Sequence, residues 1–544
     1  MDRRHFLALA AATAATSHSA LSAVAGEPVL EVRARVGPWP VISRLIAYKG
    51  RVWFASSVKW RNHNSADIWS LDPVQGDVRY ERHLFSQDAG IPLVHHGLLY
   101  WPFEDNRFSI GWGMIEVTDG LNWQPLVVPT AEIFHTNALV SRNDQIVAIT
   151  SAWRAGLQMS GDLGRSWTQL YDHPTPKGRL SRLRDPVVLH DELYGQLEQP
   201  GGINLVKFVE NRPVSVPGWP QNRRISALTR HQSRIVAAVR AGKGYHIWST
   251  DGRTSRQVSK QPVPVNLTEI ASDGNRLWAI STEKNGGRLW SSPQGIDWTG
   301  YTRFSGGQPL SLDIIAGKIY VAGAGDDGRG IIWGPSEHKI PRTISPAVLP
   351  RQFPVSRGNS QGKIDWQAAG ARLDAVLGDI KRYQNHGRKQ LRGLVFDAVR
   401  FAAPPDFFAQ RLKAQFPPGT IPAFGGQLDV KAIDMGQSYI FWGMGLAQQK
   451  NIPVSFLKRL WRAPANSFEK YFDPQSAAIW AAMVSGQKDT ATIDSLIARL
   501  AGNLDPLWLR GQIIGTLGTL TGKEFAYDED KWHQWWTTAR TTWD

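Results

Sequence analysis

From Val41 to about Ser336 the chain alternates apolar and polar residues in short runs, the period of two that a half-buried strand requires. Seven runs stand out. They are Arg51-Val52-Trp53-Phe54, Leu98-Leu99-Tyr100-Trp101, Gln145-Ile146-Val147-Ala148, Glu192-Leu193-Tyr194, Arg234-Ile235-Val236-Ala237, Arg276-Leu277-Trp278-Ala279 and Lys318-Ile319-Tyr320-Val321. Most follow a turn residue: Gly50, Gly97, Asp144, Asp191 or Gly317. Read as the second strand of a repeated unit, they predict seven copies of strand, tight turn, strand, polar turn and Trp-rich strand. After Trp333 the pattern breaks. Pro335, Pro341, Pro346, Pro350 and Pro354 rule out regular helix and predict an extended connector to about Gly362. From Lys363 the period becomes helical, with Trp366, Leu373, Val376 and Ile380 on one face of a helix over 364–380. Further helices are predicted over 391–402, 405–416, 430–449, 453–461, 474–485, 490–500 and 507–520. Asp473-Pro474 and Asp505-Pro506 read as N-cap followed by proline at N1.

The repeat has a length. Trp248, Trp290 and Trp333 end three similar strands and stand 42 and 43 residues apart. A period near 40 with a turn in each copy is the signature of four-stranded propeller blades. The fold class expected is therefore β + α, a seven-bladed β-propeller followed by a stacked-helix, solenoid domain. The expected segments are an export signal over 1–25, the propeller over 26–336, a proline-rich linker over 337–362 and the helical domain over 363–544. Pro28-Val29-Leu30-Glu31-Val32 is placed to pair with the last blade and close the ring.

One turn is distinctive. Ser160-Gly161-Asp162-Leu163-Gly164-Arg165-Ser166-Trp167 lets an aspartate fold onto backbone N–H groups while glycine takes a positive φ. It resembles the Asp box, Ser-x-Asp-x-Gly-x-Ser/Thr-Trp, of sialidase-like (BNR) propellers. Partial copies stand at Thr118–Trp123, Ser249–Thr254 and Ser291–Trp298. The resemblance implies a fold, with the box on the outer rim and no chemistry of its own. The family's first arginine lies in an Arg-Ile/Leu-Pro motif. Here the region reads Val41-Ile42-Ser43-Arg44-Leu45-Ile46, without the proline, which leaves sialoside hydrolysis in doubt. Toward the C-terminus, Leu520-Thr521-Gly522 to Tyr527-Asp528, followed by Trp532, Trp535 and Trp536, resembles the end of HEAT-like domains of exported bacterial proteins. That resemblance implies a helical fold and an interaction surface.

Charge and the amino terminus add location and partner class. The chain has 544 residues, no cysteine and a formal net charge of +15. The missing cysteines exclude disulfides, Cys-ligated zinc and thiol nucleophiles. The positive balance favours anionic partners. Arg3-Arg4-His5-Phe6-Leu7, the alanine-rich run to Ala15 and Ala23-Val24-Ala25 resemble a twin-arginine signal with its cleavage site. Export to the periplasm or beyond is expected, with no stable transmembrane span after processing. No P-loop, Rossmann glycine pattern, His-Glu-x-x-His or EF-hand appears, so neither cofactor nor metal is expected. Scattered basic residues and export together argue against nucleic acid.

In a propeller the strand that opens each blade lines the channel, and the loops at its start ring one mouth. The residues opening the copies are Arg44, His135, Arg184, Asp185, Arg224, Glu269 and Asp313. Arg44, Arg184, Arg224 and His135 are the candidate ligand contacts, since guanidinium meets carboxylate or sulfate with two parallel hydrogen bonds. His135, Glu269, Asp313 and Asp185 are the candidate catalytic groups. His135 is the candidate base for β-elimination from a uronate, with Tyr194 or Tyr245 as partner, an arrangement that some propeller polysaccharide lyases use. Three readings follow: an exported propeller that recognises an acidic glycan, a polysaccharide lyase or atypical glycoside hydrolase, and a protein–protein scaffold. The partner expected is an anionic glycan or an envelope protein.

Overall fold

The computed structural model describes residues 30–58, 66–104, 113–129, 133, 135–151, 154–173, 181–200, 202–242, 244–260, 263, 267–284, 286–342, 348–353, 364–382, 388–417, 430–458, 473–500 and 505–543. The signal-like segment over 1–25 lies outside the described residues.

The described strands between residues 31 and 334 form seven antiparallel four-stranded units. Blade 1 spans 41–84, blade 2 93–128, blade 3 135–172, blade 4 182–215, blade 5 225–257 and blade 6 267–304. Blade 7 takes three strands from 307–334 and a fourth from the other end of the chain. That fourth strand, β1 (Glu31–Val36), pairs with β28 (Gly330–Gly334) from Glu31↔Gly334 to Val36↔Gly330. The closing strand expected at 28–32 thus exists, shifted toward the C-terminus, where Ala34 and Val36 turn inward and are buried. Closure removes the sheet edges that an open array would expose.

Two sets of turns define each blade. The first hairpin runs through residues with φ > 0 at or near its tip, such as Lys49-Gly50, His96-Gly97, Asn143-Asp144 and Ala316-Gly317. These are the primed turns whose twist matches paired strands. The second set includes the Asp-box-like sequences, each joining the third and fourth strands of its blade. Asp162 accepts the backbone N–H and the hydroxyl of Ser166 at 2.8 and 2.6 Å. Asp251 accepts N–H groups of Arg253 and Thr254 at 2.9 and 2.8 Å, and Asp119 does the same for Leu121 and Asn122. Trp167 packs against the core shared by blades 2 and 3.

These N–H groups favour the ionised carboxylate. The bond from Thr254 acts most strongly on Asp251, whose pKa falls from 3.8 to about 2. A carboxyl held lower in the fold than in the unfolded chain adds stability above pH 3.8 and loses it as the pH falls toward 2. Asp251→Asn is therefore expected to flatten the loss of Tm between about pH 4 and 2. Identical acid limbs in the two proteins would refute a role for this turn.

The helical region begins at Trp366–Arg382 and continues through Arg388–Arg400, Phe407–Gln415, Val430–Leu446, Val454–Lys458, Pro474–Ser485, Thr490–Leu500, Leu507–Thr521 and Glu529–Ala539. Asp473 caps its helix as expected, taking the N–H groups of Gln475 and Ser476. Asp505 also holds a buried partner, its carboxylate lying 2.7 Å from Arg499 Nε. Among the described residues no helix is long and apolar enough to cross a membrane.

The helices do not trail from the propeller. Tyr48, Trp53, Ile68, Leu84 and Phe85 of blade 1 share one apolar core with Leu509, Ile513 and Leu517, and with Tyr439, Trp442, Trp480 and Trp532. Inside this interface Asp67 is fully buried. It accepts hydrogen bonds from Trp39 Nε1 at 2.6 Å and Tyr527 Oη at 2.7 Å, with His83 Nδ1 at 2.7 Å. Nearby Arg82 reaches both Glu116 oxygens at 3.2 and 3.1 Å and Thr519 Oγ1 at 2.8 Å. The connector is pinned as well. Buried Gln352 copies a strand against the outer edge of blade 2, its amide exchanging two 2.7 Å bonds with Val127 N and O.

Candidate functional site

Six of the seven innermost strands are β2 (Val41–Tyr48), β10 (His135–Arg142), β14 (Arg182–Leu189), β18 (Ile225–His231), β22 (Leu267–Ser272) and β26 (Gly307–Ile315). Each carries one residue more than its partner at a corresponding place, a β-bulge. A bulge bends its strand and re-aims the side chain it carries. Arg44 and Asp185 sit in two of these bulges with φ of 59 and 45. Two of the candidates read from the sequence, Arg44 and Asp185, therefore fall on a repeated feature of the inner wall.

Three of them act on one another. Asp313 of blade 7 accepts the backbone N–H of Leu45 and a bond from Ser311. Burial pushes its carboxyl well above the ordinary range, the negative charge of Glu269 in blade 6 adds to the rise, and Arg44 in blade 1 opposes it. A carboxyl with a raised pKa beside a second acid is the pattern of an acid–base pair. The same geometry has a structural use. Asp313 ties blade 7 to the bulge of blade 1, where Arg44 offsets the acid charge.

The remaining candidates are held separately. Arg184 pairs with Glu198 of its own blade at 3.4 Å. Asp185 accepts Gln196 Nε2 at 2.9 Å. His135 Nδ1 lies 3.5 Å from a carboxylate oxygen of Glu104 and also contacts that residue's backbone oxygen. Arg224 is exposed at the entry to blade 5 with no carboxylate against it among the described residues. The two tyrosines named as partners for His135 stand in other blades. Tyr194 is fully buried in blade 4 and donates to Glu192 at 3.0 Å, while Tyr245 lies in the core shared by blades 5 and 6.

A hydrogen-bonded Tyr–His pair does exist elsewhere. Tyr171 Oη lies 2.6 Å from His173 Nδ1 at the end of the outer strand of blade 3. The pair opens into a groove of about 770 Å³ between blades 3 and 4, lined also by Gln169, Gln199, Asn204 and Arg212. Desolvation lowers the His173 pKa against a hydrogen bond to Gln199 and raises that of Tyr171, so both stay neutral at pH 7. Asp172 is matched by Arg154. Glu210 also borders the groove, while Arg212 has no carboxylate partner among the described residues. Sequence reasoning looks for chemistry on inner strands and passes over Tyr-x-His. That spacing places both rings on one face of a strand, which is the available signal.

No family model and no curated protein matches the chain. Among solved structures it is similar to the β-propeller domain of the Trilobed protease from Pyrococcus furiosus, with 8% identity and a TM-score of 0.40 over 57% of this chain and 100% of that one. The Neurospora crassa Pan2 WD40 domain gives 11% identity and a TM-score of 0.41, covering 59% and 99%. A luciferin-regenerating enzyme gives 12% identity and a TM-score of 0.35, covering 56% and 94%.

Proposed function

We propose that this chain is an exported propeller, sialidase-like in its Asp-box turns, that binds an acidic saccharide without transforming it. The ligand lies in the groove between blades 3 and 4. The groove's lining carries this reading. Gln169, Gln199 and Asn204 present amides suited to sugar hydroxyls, Tyr171 offers a ring, and Arg212 is a cation with no carboxylate against it among the described residues. Two arginines of the channel support it by contrast, since Arg44 and Arg184 stand against acids of the protein itself. The helical tail, fixed to blade 1, serves as a surface for an envelope protein. A second reading, glycoside hydrolysis, rests on the raised pKa of Asp313 beside Glu269.

The test is a panel of acidic polysaccharides, followed for binding, unsaturated-uronate absorbance and new reducing ends together. Binding is expected without product, weakened tenfold or more by Arg212→Ala and Gln199→Ala. Failure to bind any of the panel, or binding indifferent to both variants, refutes the groove. Reducing ends lost in Asp313→Asn would establish hydrolysis in the channel. Uronate absorbance lost in His173→Ala would make the groove a lyase site.

A further inference from the structure

At four of the seven seams the first hairpin of one blade is tied to that of the next, and the bonds differ. Tyr48 Oη of blade 1 donates to Gly97 O of blade 2 at 2.9 Å. Arg142 Nε of blade 3 donates to Asp191 O of blade 4 at 2.9 Å. Gln232 of blade 5 reaches Gly274 O at 3.4 Å, and His231 Nδ1 lies 2.7 Å from Ser272 Oγ. The seam between blades 2 and 3 differs in chemistry. His96 Nε2 lies 2.8 Å from Asp144 Oδ1, and His95 Nδ1 lies 3.3 Å from Ser141 Oγ.

We infer that His95 and His96 of blade 2 and Asp144 of blade 3 form a binding site for one divalent first-row transition ion of the Zn²⁺ type. One ligand atom from each residue already lies within 4.8 Å of the other two. Two imidazoles and a carboxylate, with water completing a tetrahedron, are a donor set that such ions prefer. Ligands about 2 Å from a common ion stand closer than that, so the side chains must draw in. Two of the three can move: His96 and Asp144 are 50% and 78% exposed. The third is held in place. His95 is buried, and its bond from Nδ1 to Ser141 leaves Nε2 as the donor atom, the division of labour seen in metal-bound histidines.

The fold contains its own control. His231 occupies the same place before its turn and makes the same bond to a serine of the next blade. Its other nitrogen meets the backbone of Pro293, and its turn supplies Gln232 in place of a histidine. That seam has the hinge of the arrangement without the ligand set. The blade 2–3 seam also has the more to gain. The inner strand of blade 2, Leu93–His95, has three residues where the other inner strands have six to nine. An ion there would clamp the shortest inner strand of the ring to its neighbour.

The experiment uses the full mature chain without an affinity tag, stripped by chelator and titrated with ZnCl₂ by calorimetry, with Tm read in parallel. One ion per chain is expected with micromolar or tighter affinity and a Tm that rises with zinc concentration. His96→Ala and Asp144→Ala, both at exposed positions, are expected to weaken binding at least tenfold and abolish the Tm rise. Ser141→Ala is expected to weaken it about tenfold through loss of the orienting bond. His231→Ala is expected to leave zinc affinity unchanged. Absence of micromolar binding by the parent chain overturns the proposal. So does binding that survives in the His96→Ala/Asp144→Ala double variant.

Discussion

Asp67→Ala is expected to destabilise the protein by about 3–5 kcal/mol, as breaking a buried, hydrogen-bonded charge typically does. The carboxylate is fully buried between blade 1 and the helical region and receives Trp39, Tyr527 and His83 at once. Alanine leaves these donors facing a dry core, and each orphaned donor costs about 1–3 kcal/mol. Only partial rescue is available inside the network, because Trp39 Nε1 can still reach Tyr527 Oη at 3.1 Å. Tyr527→Phe removes one bond from the same carboxylate and is expected to cost about 1–2 kcal/mol. Urea unfolding of the two variants measures both numbers. An Asp67→Ala cost below that of Tyr527→Phe would show that water enters and satisfies the site.

Gly515→Val is expected to cost about 3 kcal/mol, the upper end for overpacking a dense interface. The helix Leu507–Thr521 lies on the outer strand of blade 1 through Gly511 and Gly515. A Cβ at Gly515 would stand 2.4 Å from His83 Cβ and 3.0 Å from Tyr80 Oη, and one at Gly511 would stand 2.7 Å from Tyr527 Oη. Valine cannot fit unless the helix lifts, and lifting it breaks the contact of Arg82 with Thr519. Gly518 is the control. Its nearest neighbour would be 3.4 Å away, so Gly518→Ala is expected to gain up to about 1 kcal/mol from helix propensity alone. Thermal melts decide the matter by sign: position 515 down, position 518 level or up. A loss at both positions would mean that the backbone of this helix, not its packed face, is what the substitutions disturb.

The blades were legible in the sequence because each repeats a local signal. Lys49-Gly50 and Ala316-Gly317 announce primed turns, and the runs after them carry the strand period. The inner-strand cluster was half legible for the same reason. Arg44, Glu269 and Asp313 were singled out by their place at the opening of a copy, whereas their mutual electrostatics depend on which blades become neighbours across the closed ring. The docking of the tail was not legible. Tyr527 stood out within a recurring turn, but nothing in a linear pattern pairs it with Asp67, 460 residues away. Buried polar contacts follow no period. Asp505 illustrates the limit at short range, since nothing in an aspartate before proline announces its buried ion pair with Arg499. His95, His96 and Asp144 converge only because two hairpins of adjacent blades meet.

The strand that closes the ring also sets a clock. Glu31 waits for Gly334, about 300 residues later in the chain. At ordinary rates of synthesis, roughly 5–20 residues per second, that partner emerges about 15–60 s after the strand itself. Throughout that interval β1 is an unpaired strand and blade 7 does not yet exist. The docking helices around Tyr527 come later still. The ring therefore cannot be finished blade by blade as it leaves the ribosome, and its last seam joins two segments made about 300 residues apart.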